Sequence, residues 1–223
     1  MILTATMAAL PSAARPFVWL LNALSVLFGG DAEALEEDAV LKLVEQARAG
    51  DRAAHQRLYR QHVQRVFRTV RGMLRSDAEA EDVTQDAMLT ALTSLDRYSP
   101  RSGTRFAAWL TAIAVNTTRR RFRRRRPELT ATGELPDVAD PTGDIAADID
   151  LTRQRAALLQ ALAELEPRER EIVSLRYGSD LNASEIAAQV DMEAANVRKV
   201  LERARVRLGE RIEALAKSRG AAA

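Results

Sequence analysis

From Arg105 to Arg126 the chain reads RFAAWLTAIAVNTTRRRFRRRR, and Pro127 stops it. Phe106, Trp109, Leu110, Ile113 and Ala114 recur at i, i+3, i+4 and i+7, so the first half predicts a helix with one face in a core, Trp109 included. The second half carries Arg119, Arg120, Arg121, Arg123, Arg124, Arg125 and Arg126 around Phe122. No acid interrupts residues 101–126, which hold nine arginines. A helix anchored at one end and densely positive at the other suits a polyanion. A solvated basic tail is the plainer alternative, but this run continues a well-patterned helix instead of ending the chain.

Around that element the chain reads as all-α. Its 223 residues hold one large domain or two small ones. Charged residues make up 29% and aromatic residues only 4%, and β-branched alternation is almost absent. Formal net charge is only +2, yet it is unevenly spread: residues 31–38 hold five acids and no base, and residues 128–150 seven acids and no base. The bases gather elsewhere, which points to nucleic acid. The absence of cysteine excludes disulfides, thiolate metal sites and cysteine nucleophiles, and fits a reducing cytoplasm. His55 and His62 lie seven apart on one predicted helix without a further metal ligand, so they read as ordinary surface or half-buried side chains. No Gly-rich phosphate loop, G-x-S-x-G or H-E-x-x-H occurs. The expectation is a protein that is not an enzyme and takes no cofactor or metal.

Taken in order, residues 1–38 form an extension, apolar at 17–28 and then acidic. The twelve-residue apolar run is too short to span a bilayer. It reads as a helix packed on the body or on a partner, or as sequence upstream of a later true start. A signal-peptide core would contradict DNA binding. Residues 39–126 read as a first helical domain, with helices at 39–49, 51–75, 79–95 and 105–126. Gly50 and Asp51 cap the first junction, Ser76-Asp77 breaks the second, and 98–103 is a loop. Residues 127–150 are acidic, carry three prolines and two glycines, and read as a linker. Residues 151–217 read as a second domain: a helix at 151–165, one at 168–177 opened by Pro167 and closed by Gly178, a short one at 181–190, and a basic one at 193–217. The last two make a helix-turn-helix. Residues 218–223 are a tail.

These stretches together resemble the RNA polymerase sigma factors of the extracytoplasmic-function group. ARAGDRAAHQRLY (47–59) is similar to the start of that family's region 2, and AEAEDVTQDAMLTAL (78–92) resembles its polymerase-binding helix. RFAAWLTAIAVNTTRRR (105–121) resembles its minus-ten promoter helix, and LEPREREIVSLRY (165–177) with the helix-turn-helix resembles region 4. The resemblance covers about residues 43–208 and implies an all-α fold of two helical domains joined by the acidic linker. It implies core RNA polymerase as partner, through the largest subunit's coiled coil and the second-largest subunit's flap. Promoter DNA is implied as well, and an anti-sigma factor is admitted.

The resemblance assigns residues, and their chemistry agrees. Asp82, Gln85 and Asp86 share one helix face, where carboxylates meet polymerase arginines. Asn116 matches an asparagine near the non-template strand and can hydrogen-bond an unstacked base. Arg119, Arg120 and Arg123 serve minus-ten phosphates, and the 98–103 loop corresponds to a flipped-base pocket. Ala195, Asn196, Lys199 and Arg203 face the minus-thirty-five major groove, where Asn196 suits adenine and Lys199 guanine. Arg198 and Arg205 hold phosphates. Three positions depart from the family pattern: His55 replaces an aromatic or apolar residue, Asp191 a turn glycine, and Glu193 a Ser or Thr cap. A dimeric helix-turn-helix regulator acting without polymerase is the competing reading. It would leave Asp82, Gln85, Asp86 and the arginine helix unexplained.

Overall fold

The structure is a computed structural model and describes residues 35–100, 103–125 and 147–220. The apolar run at 17–28 and the prolines of the acidic stretch lie outside the described residues. Among the described residues there are eight α-helices and one short 3-10 turn. They are α1 (Glu37–Arg48), α2 (Arg52–Met73), α3 (Asp77–Thr93), the turn Leu95–Arg97, α4 (Phe106–Arg125), α5 (Ala147–Glu164), α6 (Pro167–Gly178), α7 (Ala183–Val190) and α8 (Ala194–Gly220).

Local chemistry sets these boundaries. Gly50 takes φ +91° between α1 and α2, and the Asp51 side chain accepts from the N–H groups of Ala53 at 2.8 Å and Ala54 at 3.3 Å. Ser76, read from the sequence as part of a breaker, is the N-cap of α3, so that helix begins at Asp77, ahead of the expected 79. Pro167 stands in the first turn of α6, where its missing N–H costs nothing. Asn182 and Glu185 close a capping box on α7. Asp191 takes the left-handed conformation, φ 51° and ψ 61°, at the turn where glycine would be unstrained. The helix expected at 151 starts at Ala147, and the final helix runs on to Gly220.

Helices α1 to α4 surround one apolar core that includes Val44, Leu58, Val66, Val70, Met88, Phe106 and Leu110. Phe106 is its hub. Tyr98 lies edge-on to it at 5.2 Å between ring centroids, and Trp109 lies at 5.5 Å. His62 also packs on Phe106, at 5.1 Å, and is buried. The expectation of a surface or half-buried histidine fails there because His62 lies four residues from both Leu58 and Val66, on the inward stripe of α2. His55 stays half-buried, its Nδ1 3.0 Å from the Asp51 carbonyl oxygen.

A second core joins Leu158, Leu162, Leu165 and Val173 to Ala204, Leu208 and Ile212, holding α5, α6 and α8 together. A third cluster crosses between the two halves. Met73, Ala108 and Val115 pack with Ile172, Leu175, Leu181, Ile186 and Val197. Here α6 lies directly on α2. A Cβ at Gly178 would stand 2.5 Å from Thr69 Oγ1 and 2.7 Å from its Cα. Gly178 ends its helix as the sequence suggests, but the reason for glycine is this close approach of two backbones.

Candidate nucleic-acid interface

Helix α3 buries Ala80, Val83, Thr84, Ala87, Met88 and Ala91, which turns Asp82, Gln85 and Asp86 to solvent on the opposite side. Leu89, one turn further along, is 65% exposed, so this acidic face carries an apolar residue. Sequence patterning left Leu89 unassigned, although a leucine on the polar stripe is itself a signal. Asp82 reaches across to α4, with its Oδ2 3.9 Å from the Arg121 guanidinium.

Helix α4 is packed on two sides. Phe106, Leu110 and Ala114 enter the first core, whereas Ala108 and Val115 enter the cluster shared with the second half. That leaves a narrow outer stripe on which Asn116, Arg120 and Arg123 are exposed together. Phe122 among them is 45% exposed. Arg119 differs from these. Its guanidinium donates to the Glu171 carboxylate of α6 and lies 3.4 Å from the Gln189 carbonyl oxygen of α7. Sequence reading missed Glu171, because nothing in a spacing of fifty-two residues announces a pair.

The loop before α4 is anchored from inside. Tyr98 is buried, and its O–H donates to the Thr104 carbonyl oxygen at 3.0 Å. Burial, and then the nearby Glu37 carboxylate, push its pKa up to about 12. The Tyr98 ring therefore belongs to the core, while Ser99, Pro100, Gly103 and Thr104 form the exposed part of this loop. Trp109 is half-buried against Tyr98 at 5.4 Å, as its place on the apolar stripe led one to expect.

At the other end of the molecule, Val197, Ala204 and Leu208 seat α8, so Ala195, Asn196, Arg198, Lys199 and Arg203 are all exposed over its first turns. Glu193 caps α8 by its backbone, accepting from the N–H groups of Asn196 at 2.9 Å and Val197 at 3.0 Å. Further along, acids neutralise the bases. Arg207 makes a two-pronged pair with Glu169 at 2.8 and 2.9 Å, and Arg211 pairs with Glu164. Arg205 bonds to Tyr177 beside it. Unpaired positive charge is thus concentrated at the start of the helix, where a groove-reading helix presents its bases' partners.

Two family descriptions match this chain: Sigma-70 region 2 over residues 58–128 and Sigma-70, region 4 over residues 155–208. The chain is 36% identical over 145 residues to the RNA polymerase sigma factor CarQ of Myxococcus xanthus, covering 65% of this chain and 81% of that protein. It is 34% identical over 149 residues to the ECF RNA polymerase sigma factor BldN of Streptomyces coelicolor, covering 66% of this chain and 56% of BldN. CnrH, solved in complex with the cytosolic domain of CnrY, matches with a TM-score of 0.56 at 25% identity, covering 77% of this chain and 96% of CnrH. The sigma factor RpoE of Bartonella quintana matches in fold with a TM-score of 0.59 at 20% identity, covering 71% and 96%. The two helical halves are thus those of a sigma factor, α2–α4 falling in region 2 and α5–α8 in region 4. The chain belongs to the RNA polymerase sigma factors, in the extracytoplasmic-function group.

Proposed function

We propose that this chain initiates transcription in the bacterial cytoplasm, as a non-enzymatic subunit that takes core polymerase to chosen promoters. Asp82, Gln85 and Asp86 dock on the coiled coil of the largest subunit, and region 4 meets the flap of the second-largest. Asn116 holds a base of the melted minus-ten strand, while Arg119, Arg120 and Arg123 hold phosphates. Asn196, Lys199 and Arg203, with Ala195 and Arg198, read and grip the minus-thirty-five element. An anti-sigma factor is a further partner, in keeping with the complexes of CnrH and RpoE. No helix among the described residues is long and apolar enough to cross a membrane.

One observation supports the reading above the others. The acidic α3 face stands in solvent directly beside the basic α4 stripe, joined to it through Asp82 and Arg121. A regulator working alone on an operator would need the α8 face and have no use for that pairing of surfaces. The test is charge reversal. Asp82→Arg with Asp86→Arg should weaken binding to core polymerase on the order of a hundredfold, as breaking charged hot-spot contacts does, with helicity intact. Unchanged co-purification with core would sink the assignment. Asn116→Ala should slow strand opening more than initial binding, and a pre-melted bubble template should recover much of the loss. Equal permanganate reactivity of mutant and wild-type complexes on duplex DNA would make Asn116 structural instead.

A further inference from the structure

The third apolar cluster, where region 4 rests on region 2, is edged by polar contacts between the two. Arg119 pairs with Glu171. Arg105 makes a two-pronged pair with Glu185 at 2.6 and 2.7 Å and lies 3.3 Å from the Asp180 carbonyl oxygen. The Gln189 side-chain amide donates to the Ala108 carbonyl oxygen at 3.0 Å. Between the helices, the buried Ser179 hydroxyl lies 2.6 Å from that of Thr69 and 2.9 Å from that of Thr111. The backbones touch at Gly178 and Thr69.

Two features set this seam apart from an ordinary core. First, Glu171 offers Arg119 a charge-assisted, two-oxygen acceptor of the kind a phosphate offers. Arg119 cannot serve both at once. Second, the seam brings the two reading surfaces too close together. The minus-ten and minus-thirty-five elements are by name about twenty-five base pairs apart, roughly 85 Å along B-form DNA. In this structure the Gln189 carbonyl lies beside Arg119, and Asn196 follows Gln189 by only seven residues, at most about 25 Å of chain. The closed molecule cannot span both elements. By contrast, Asp82, Gln85 and Asp86 remain exposed in it. The Gln189 Oε1 atom is also buried without a hydrogen-bond partner, so closure leaves a polar atom unsatisfied.

Resting on the function proposed above, we propose that this seam is an autoinhibitory clasp: Glu171 occupies Arg119 in place of a promoter phosphate and region 4 stays folded onto region 2 until polymerase is bound. Docking through α3 proceeds on the closed form, whereas promoter engagement requires opening. The order of events is therefore polymerase first and DNA second.

The chain has no cysteine, so Thr69→Cys with Ser179→Cys installs a single pair where the two hydroxyls now lie 2.6 Å apart. Oxidised, the full-length protein should bind core polymerase normally and lose at least about tenfold in promoter-directed transcription, regained on adding dithiothreitol. Gly178→Ala opens the seam sterically and Glu171→Gln electrostatically. Neither residue belongs to the surfaces assigned to DNA or polymerase. Both variants should enlarge the free protein in small-angle X-ray scattering and tighten its polymerase-independent binding to promoter DNA by about tenfold. The clasp is overturned if the cross-linked protein transcribes as well as its reduced form. It is also overturned if both opening variants keep wild-type scattering and DNA affinity, or if the cysteine pair does not oxidise. Should the reduced protein fail to transcribe with core polymerase at all, the proposed function itself would fall, a result distinct from these.

Discussion

The core of region 2 and the seam against region 4 are both apolar clusters, yet they are built for different ends. The first is closed by aromatic packing, with Tyr98, Trp109 and His62 gathered on Phe106. The second has no aromatic hub and is ringed by ion pairs and hydroxyls that water or phosphate could replace. Apolar contacts lose little when a competing ligand arrives, because no ligand substitutes for them specifically. Charged contacts can be exchanged one for one. A domain that must persist is better made of the former, and a joint that must part is better made of the latter.

The largest effect should therefore come from the hub. Phe106→Ala should cost about 3–5 kcal/mol of stability and melt region 2 in thermal unfolding, while Gly178→Ala should leave that melting transition in place. Comparable losses for the two would erase the contrast. On the DNA side, Asn196→Ala and Lys199→Ala should each cost about 1–3 kcal/mol and relax sequence preference upstream, measured by competition among promoter variants in the holoenzyme. These α8 residues stand clear of the seam, so their effects should be the same in Glu171→Gln protein.

A finer comparison sets Arg119 against its neighbour on the same helix. In the polymerase-free protein, Arg120→Ala should flatten the dependence of log K on log salt by about 0.9, the value of one phosphate contact. Arg119→Ala should leave that slope unchanged while Glu171 holds the guanidinium, and should lower it only in the holoenzyme. Equal slopes for both variants in the free protein would mean Arg119 already reaches DNA.

Acid should act on the seam rather than the core. Burial works against the Glu185 carboxylate, but hydrogen bonds from Arg105 and the Asn182 N–H hold its pKa below the ordinary range. A lowered folded pKa contributes stability that is fully present above the ordinary carboxylate value, about 4.3, and is lost as pH falls through the folded value. The scattering radius should rise over that window, and Glu185→Gln should remove part of the rise. Smallest of all, Asp191→Gly should relieve the left-handed turn and change stability by less than about 1 kcal/mol, since glycine's extra freedom in the unfolded chain opposes the gain.

The helices and their exposed faces were legible in the sequence because each is recorded locally. Spacing placed Phe106, Leu110 and Ala114 inward, and it left Asn116, Arg120 and Arg123 outward. Asp51 and Pro167 marked two helix starts. The seam was not legible. Arg119 and Glu171, Arg105 and Glu185, and Thr69 and Ser179 are separated by 52, 80 and 110 residues, and no periodicity links them. What hint there was lay in the wrong kind of residue. Thr69, Thr111 and Ser179 are fully or almost fully buried, and small hydroxyl side chains at inward positions signal a second surface close by. His62 was misjudged for a related reason, since its ring chemistry was weighed before its place on the α2 stripe.

The spacing of the Arg119–Glu171 pair also sets a clock on the newborn protein. A ribosome adding about 5–20 residues per second needs roughly 3–10 s to travel the 52 residues between them. Through that interval region 2 has left the ribosome, or is leaving it, with its arginine stripe uncovered and no glutamate yet made to meet it. A nascent chain is thus at its most adhesive toward nucleic acid before its own second half exists. Translation rate across residues 119–171 becomes a quantity on which the safety of synthesis depends, and slow codons placed there would lengthen the exposure.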